Sequence, residues 1–64
     1  MIVNGQEQTV AAGMMLLDYL KQAGYNPERI AVEKNGSIVP KNDYDKTVLQ
    51  QEDTLEVVQF VGGG

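Results

Sequence analysis

Two Asn-Gly pairs, Asn4-Gly5 and Asn35-Gly36, constrain this chain more than any other feature. A two-residue turn that matches the twist of the strands it joins needs positive φ at both positions, which Asn and Gly tolerate best. MIVN with QEQTV therefore reads as one β-hairpin, and IAVEK with SIVP as a second. Pro40 ends the second, because proline cannot donate to a ladder. Between the hairpins the period changes. In MMLLDYLKQAG, Leu16, Tyr19, Leu20 and Ala23 fall at i, i+3, i+4 and i+7, one face of a helix of about three turns. Gly24 stands where a left-handed helix cap is commonest, and Pro27 bars continuation. Beyond Pro40, KNDYDK predicts an irregular connection or a single helical turn. TVL is a candidate short strand, QED a turn, and TLEVVQF the longest strand.

The predicted order is β-β-α-β-β-β with one helix. Two hairpins flanking a helix hide their apolar faces only if the last strand joins the same sheet, which gives a two-layer α+β domain. The first and last strands are the most apolar and are expected side by side in the middle. This is the β-grasp, or ubiquitin-like, arrangement. Within TLEVVQF successive side chains alternate between faces. Glu56 is costly to bury unpaired, so Leu55 and Val57 are expected to point at the helix. Val58 and Phe60 then lie on the open face. Single exposed apolar residues are ordinary, but these two stand beside the chain's last segment.

Composition narrows the chemistry. The chain has 64 residues, enough for one domain, and buries only ~60% of its unfolded surface. It has neither cysteine nor histidine, which excludes disulfides, thiolate or imidazole zinc sites, and cysteine or histidine catalysis. Asp43, Asp45, Glu52 and Asp53 fall in turns, where acidic residues are common, and lack calcium-loop spacing, so no metal is assigned. Met14 and Met15 read as core and helix-start residues. The formal charge is −4 and the five cationic residues are dispersed, which argues against nucleic acid. The longest apolar run is too short to span a membrane, and MIVNGQEQ does not resemble a signal peptide, so a cytoplasmic location is expected.

The chain closes on FVGGG. Glycine loses the most conformational freedom on ordering, so residues 62–64 read as a flexible tail following a domain over residues 1–61. The Gly64 α-carboxylate has an ordinary pKa of roughly 3.3–3.7 and at neutral pH is an ionised, poor electrophile. Reaction with a nucleophile requires activation, which ATP supplies by forming an acyl-adenylate. Neither GxGxxG nor GxxxxGK[ST] occurs here, so the nucleotide site belongs to a second protein. Three extended residues reach roughly 10 Å. Lacking Cβ atoms, they pass a slot that admits only backbone. Ordering them costs about 1–2 kcal/mol each, which docking through a surface such as Val58 and Phe60 would offset. The plainer reading is a frayed terminus; the direct join to the strongest strand weighs against it.

Taken together, MIVNG, YLKQAGYNPERIAVEKNGSIVPK and TLEVVQFVGGG resemble, end to end, the ubiquitin-like sulfur carriers of thiamine biosynthesis, the ThiS family. The resemblance implies a substrate of enzymes and not an enzyme. An E1-like adenylyltransferase would adenylate Gly64 with ATP and magnesium. Sulfur from a cysteine desulfurase relay would replace AMP, and thiazole synthase would take sulfur from the resulting thiocarboxylate. Gly63 and Gly64 match the family's di-glycine, Gly62 the extra glycine before it, and Phe60 and Val61 the approach to the partner. QED replaces a DGD-like turn and KNDY fills the connection after Pro40, both away from the tail. Three other readings share these features. They are a molybdopterin-synthase small subunit, a carrier for tRNA thiolation or protein modification, and a passive ubiquitin-like interaction module. The first is usually longer, with prolines before its tail that VVQFVGGG lacks. The last predicts that loss of Gly63 and Gly64 is harmless.

Overall fold

A computed structural model describes residues 1–60. Five strands form one mixed sheet: β1 (Ile2–Val3), β2 (Gln6–Glu7), β3 (Ile30–Lys34), β4 (Ser37–Val39) and β5 (Thr54–Gln59). Their order is β2-β1-β5-β3-β4, with β1 parallel to β5 and every other pair antiparallel. One helix, α1 (Leu16–Gln22), covers one face. This is the expected β-grasp, with the first and last strands adjacent.

Both hairpins turn on the predicted dipeptides. Asn4 and Gly5 have φ of 51° and 81°, and Asn35 and Gly36 have 54° and 86°. Each pair lies between directly opposed residues, Val3 with Gln6 and Lys34 with Ser37, so each loop is a two-residue reversal with positive φ at both positions. The second strand of the first hairpin is shorter than expected and ends at Glu7. Gln8 still exchanges backbone bonds with Met1, its N–H donating to Met1 C=O at 2.8 Å and its C=O accepting from the Met1 ammonium at 3.2 Å; Thr9 and Val10 then run on toward the core, where Val10 is buried.

The helix has seven residues, two turns and not three. Met15 precedes it without a side-chain cap. Its free N–H groups are met instead by the segment after Pro40: Leu16 N–H donates to Thr47 C=O at 2.7 Å and Leu17 N–H to Tyr44 C=O at 2.9 Å. This is why TVL is not a strand. Its backbone is engaged with the helix start, including Leu49 N–H to Met14 C=O at 2.8 Å, and only a single bridge joins Met15 with Val48. At the other end Gly24 has φ 92° and donates to Lys21 C=O, while Tyr25 donates to Leu20 C=O. That pair of bonds is a Schellman closure. Ala23, expected on the buried stripe, is the exposed C-cap because the helix has already ended. Single 3₁₀ turns cover Pro27–Arg29 and Lys41–Asp43, the second being the predicted turn in KNDYDK.

Leu16, Tyr19 and Leu20 pack from the helix onto Val3, Ile30, Val32, Leu55 and Val57 of the sheet, with Leu49 and Tyr44 from the connection closing the layer. Burial raises the pKa of both buried phenols. For Tyr19 the charge of Tyr25 adds to this, and for Tyr44 the nearby Lys41 partly opposes it. Tyr19 Oη donates to Gln8 Oε1 at 2.8 Å, so its polar end is satisfied within the core's rim.

Candidate functional site

The site is built on β5, the central strand that leads to the glycines. Alternation along it matches the expectation. Leu55 is fully buried and Val57 nearly so, while Val58 and Phe60 are each 58% exposed. Val58 faces Ala31 across the ladder to β3, and Glu56 faces Glu33. Phe60 lies just past the strand, yet its N–H still donates to Arg29 C=O at 2.8 Å. The aromatic ring is therefore exposed on backbone that is tied to the sheet, and it lies immediately before Val61. Val61 and the glycines at 62, 63 and 64 fall outside the described residues, as does the predicted boundary between domain and tail.

Two turn asparagines hold β5 in place, a role their spacing alone did not announce. At the strand's start Asn35 Oδ1 accepts from Thr54 N–H and Asn35 Nδ2 donates to Asp53 Oδ1, both at 2.9 Å. Farther along, Asn4 Oδ1 accepts from Val57 N–H at 2.7 Å and Asn4 Nδ2 donates to Val57 C=O at 3.2 Å. A carboxamide both donates and accepts, so each asparagine side chain substitutes for a stretch of neighbouring strand. The sequence signal was present as Asn at the first turn position; what it would bond was not.

Asp53 is the buried polar residue among those described, 4% exposed. Its burial pushes the carboxyl pKa up, but the Asn35 amide, the Gln50 N–H at 2.8 Å and the Lys34 ammonium at 3.8 Å outweigh that and hold it below the ordinary value. Asp53 is thus a structural anion that shapes the QED turn. Asp43, Asp45 and Glu52 are exposed, and no group of three or more acidic residues placed to hold a metal occurs among the described residues.

Two open clefts flank the helix. One, of about 300 Å³, is lined by Gln8, Thr9, Val10, Met14 and Tyr19 among others; the second, of about 260 Å³, lies between Leu17, Pro27 and Tyr44, beside the Glu28–Lys41 ion pair. Neither is lined by Val58 or Phe60. Among the described residues no helix is long and apolar enough to cross a membrane.

With this geometry in hand, comparison with known proteins gives a consistent result. The family model described as "ThiS family" matches residues 1–64. A thiazole synthase of Magnetococcus marinus is 42% identical over 97% of this chain, and one of Paramagnetospirillum magneticum is 38% identical over all of it. The chain spans only 19% and 20% of the length of those two relatives. A crystal structure of the thiamine biosynthesis protein ThiS from Geobacter metallireducens superimposes with a TM-score of 0.82 at 30% identity, covering 98% of this chain and 96% of that one.

Proposed function

The chain belongs to the ThiS family, and on that footing we propose that it is a sulfur carrier whose working group is the Gly64 carboxylate. In an E1-like adenylyltransferase that holds ATP and magnesium, a carboxylate oxygen attacks the α-phosphorus. A C–O–P linkage forms and pyrophosphate leaves. A persulfide supplied by a relay from a cysteine desulfurase then attacks the activated carbonyl carbon; the C–S bond forms and the bond to AMP breaks. A thiol cleaves the S–S bond, itself becoming a disulfide, and a thiocarboxylate remains. Thiazole synthase takes that sulfur and the carboxylate is regenerated. The carrier supplies no catalytic side chain and no cofactor, which suits a chain without cysteine or histidine.

The observation that carries this reading is that the family match runs through residue 64 and so takes in Gly63 and Gly64. Two further observations support it. The exposed Val58 lies on β5 and the exposed Phe60 just past its end, on the stretch of chain before those glycines, and relatives named thiazole synthase contain a stretch similar to this chain. In this reading Val58, Phe60 and Val61 dock the domain, while Gly62 and Gly63 thread the carboxylate into the partner's active site.

The test is intact-mass spectrometry after incubation with an E1-like enzyme of this family, ATP and sulfide. The expected product has one oxygen replaced by sulfur at Gly64, only when ATP is present. An unchanged mass, with an enzyme proven active on another carrier, would overturn the proposal and favour a passive interaction module.

A further inference from the structure

The backbone of β5 alternates in the edges it serves. Asn35 N–H donates to Thr54 C=O at one end and Phe60 N–H to Arg29 C=O at the other. In the antiparallel ladder between them, Thr54, Glu56, Val58 and Phe60 turn their backbone groups toward β3. Leu55, Val57 and Gln59 turn theirs toward β1. Leu55 C=O accepts from Asn4 N–H at 2.9 Å, and Val57 is met at both its N–H and its C=O by the Asn4 side chain. There the neighbour ends, because the chain reverses at Asn4-Gly5. Gln59 comes next in the series. Its N–H and C=O face the same edge, and among the described residues nothing meets them.

A central strand is ordinarily paired on both sides, and folds cover exposed edges. Here the Asn4 carboxamide covers one step of the edge and the following step is left open, directly before the segment that carries the glycines. We propose that Gln59 is a strand-addition site. An extended backbone segment of the enzyme that receives the tail pairs with the Gln59 N–H and C=O and continues the sheet where β1 turns away. The inference rests on the carrier reading above. It adds that the enzyme recognises main chain here, whatever side chain residue 59 carries, and that this pairing sets the direction in which residues beyond 60 leave the domain. A second copy of this chain is the poorer occupant. One open residue on each copy falls far short of the roughly 1,200 Å² a stable interface buries, whereas an enzyme segment can follow the chain onward past Phe60.

The edge geometry supplies its own test. The Gln59 N–H is not used inside the fold, so Gln59→Pro removes a donor from the open edge and breaks no bond to β3. A second variant, a chemically synthesised chain with an ester in place of the Val58–Gln59 amide, removes the same N–H without a proline ring. Affinity for an E1-like adenylyltransferase of the family is measured by calorimetry for wild type, Gln59→Ala, Gln59→Pro and the ester chain, with a thermal melt of each. The expected result is near-wild-type binding by Gln59→Ala and roughly tenfold weaker binding by the proline and ester chains, each still folded, with a small fall in melting temperature for the ester chain because its Val58 carbonyl accepts more weakly from β3. If proline unfolds the domain, the ester chain alone decides. Equal affinity of wild type and ester chain would overturn strand addition and leave the carrier reading intact. A wild-type chain that does not bind a proven active enzyme would overturn both. Self-association of wild type that the ester abolishes, with enzyme binding unaffected, would make a second copy the occupant and overturn the proposal.

Discussion

Glu33 and Glu56 stand directly opposite one another across the ladder between β3 and β5, both exposed on the open face. Neither takes part in an ion pair among the described residues. Like charges in direct cross-strand opposition destabilise a sheet by roughly 0.2–1 kcal/mol. Glu56→Gln is therefore expected to make the free domain more stable by that amount in urea denaturation at low salt. The gain should fade toward zero near 1 M salt, where the screening length drops to about 3 Å. Absence of a gain at low salt would mean that the two carboxylates splay apart in solution.

Asn4 does two things at once, and two substitutions separate them. It occupies positive φ in the turn, and its carboxamide bonds Val57 twice. Asn4→Gly keeps the turn conformation and loses both side-chain bonds, an expected cost of about 1–3 kcal/mol in urea midpoint and extrapolated stability. Asn4→Ala also forces a Cβ into the left-handed region, for a further cost of about 1–2 kcal/mol. The order wild type, Gly, Ala is the expected outcome. Equal stability of wild type and the Gly variant would show that the bonds to Val57 contribute nothing net.

These asparagines also mark where sequence reading reaches its limit. The two turns were legible because their requirement is local: Asn-Gly supplies positive φ wherever it occurs. The facing of β5 was legible because burying Glu56 was costlier than exposing Val58. The helix stripe was right at Leu16, Tyr19 and Leu20 and wrong at Ala23, since periodicity cannot say where a Schellman closure cuts the last turn. TVL has the composition of a strand, but the orphan N–H groups of the helix start claimed the backbone around it, a tertiary competition that no window of sequence contains. The same holds for Asp53. In sequence it is one of several turn acids; only the approach of Asn35 and Lys34 from another hairpin distinguishes it. Of the candidate site, the exposure of Val58 and Phe60 was legible in the alternation of TLEVVQF, while the open edge at Gln59 depends on where β1 happens to stop.

The Asp53 carboxylate gives the fold a defined acid limb. Its folded-state pKa lies below the ordinary value of 3.8, because the Asn35, Gln50 and Lys34 donors outweigh the effect of burial. A group with a depressed folded pKa contributes stability that is fully present above the unfolded value and is lost as pH falls through the folded one. Wild type is therefore expected to hold its urea midpoint down to about pH 4 and to lose stability below it. Asp53→Asn replaces one carboxylate oxygen with an NH2 group that must face an N–H donor, either Asn35 Nδ2 or Gln50 N–H, and it removes the anionic partner of Lys34. It should cost about 1–3 kcal/mol at neutral pH, with a flatter acid limb, so that the two curves converge in strong acid. Parallel curves would assign the acid sensitivity to another carboxylate.

Leu55 is buried within β5 while Phe60, just past its end, is exposed, and their substitutions should separate binding from folding. Leu55 is completely buried against the helix, and Leu55→Ala is expected to cost about 2–5 kcal/mol through lost burial and the cavity left behind. In a domain this small, that is a large share of the total stability. Phe60 is more than half exposed, so Phe60→Ala should change stability by no more than about 0.5 kcal/mol. If Phe60 anchors the domain on the activating enzyme, the same substitution should weaken the complex by about tenfold or more, since buried aromatic anchors dominate interfaces. It should also slow ATP-dependent sulfur loading at Gly64 at subsaturating carrier, with the rate recovering as carrier concentration rises. A rise in KM with kcat preserved marks a docking contact that is equally strong before and during the chemistry. A fall in kcat at saturation would instead mean that Phe60 aims the tail as well as anchoring the domain. Unfolding of Phe60→Ala would contradict the outward facing of the β5 terminus and, with it, the placement of the docking surface.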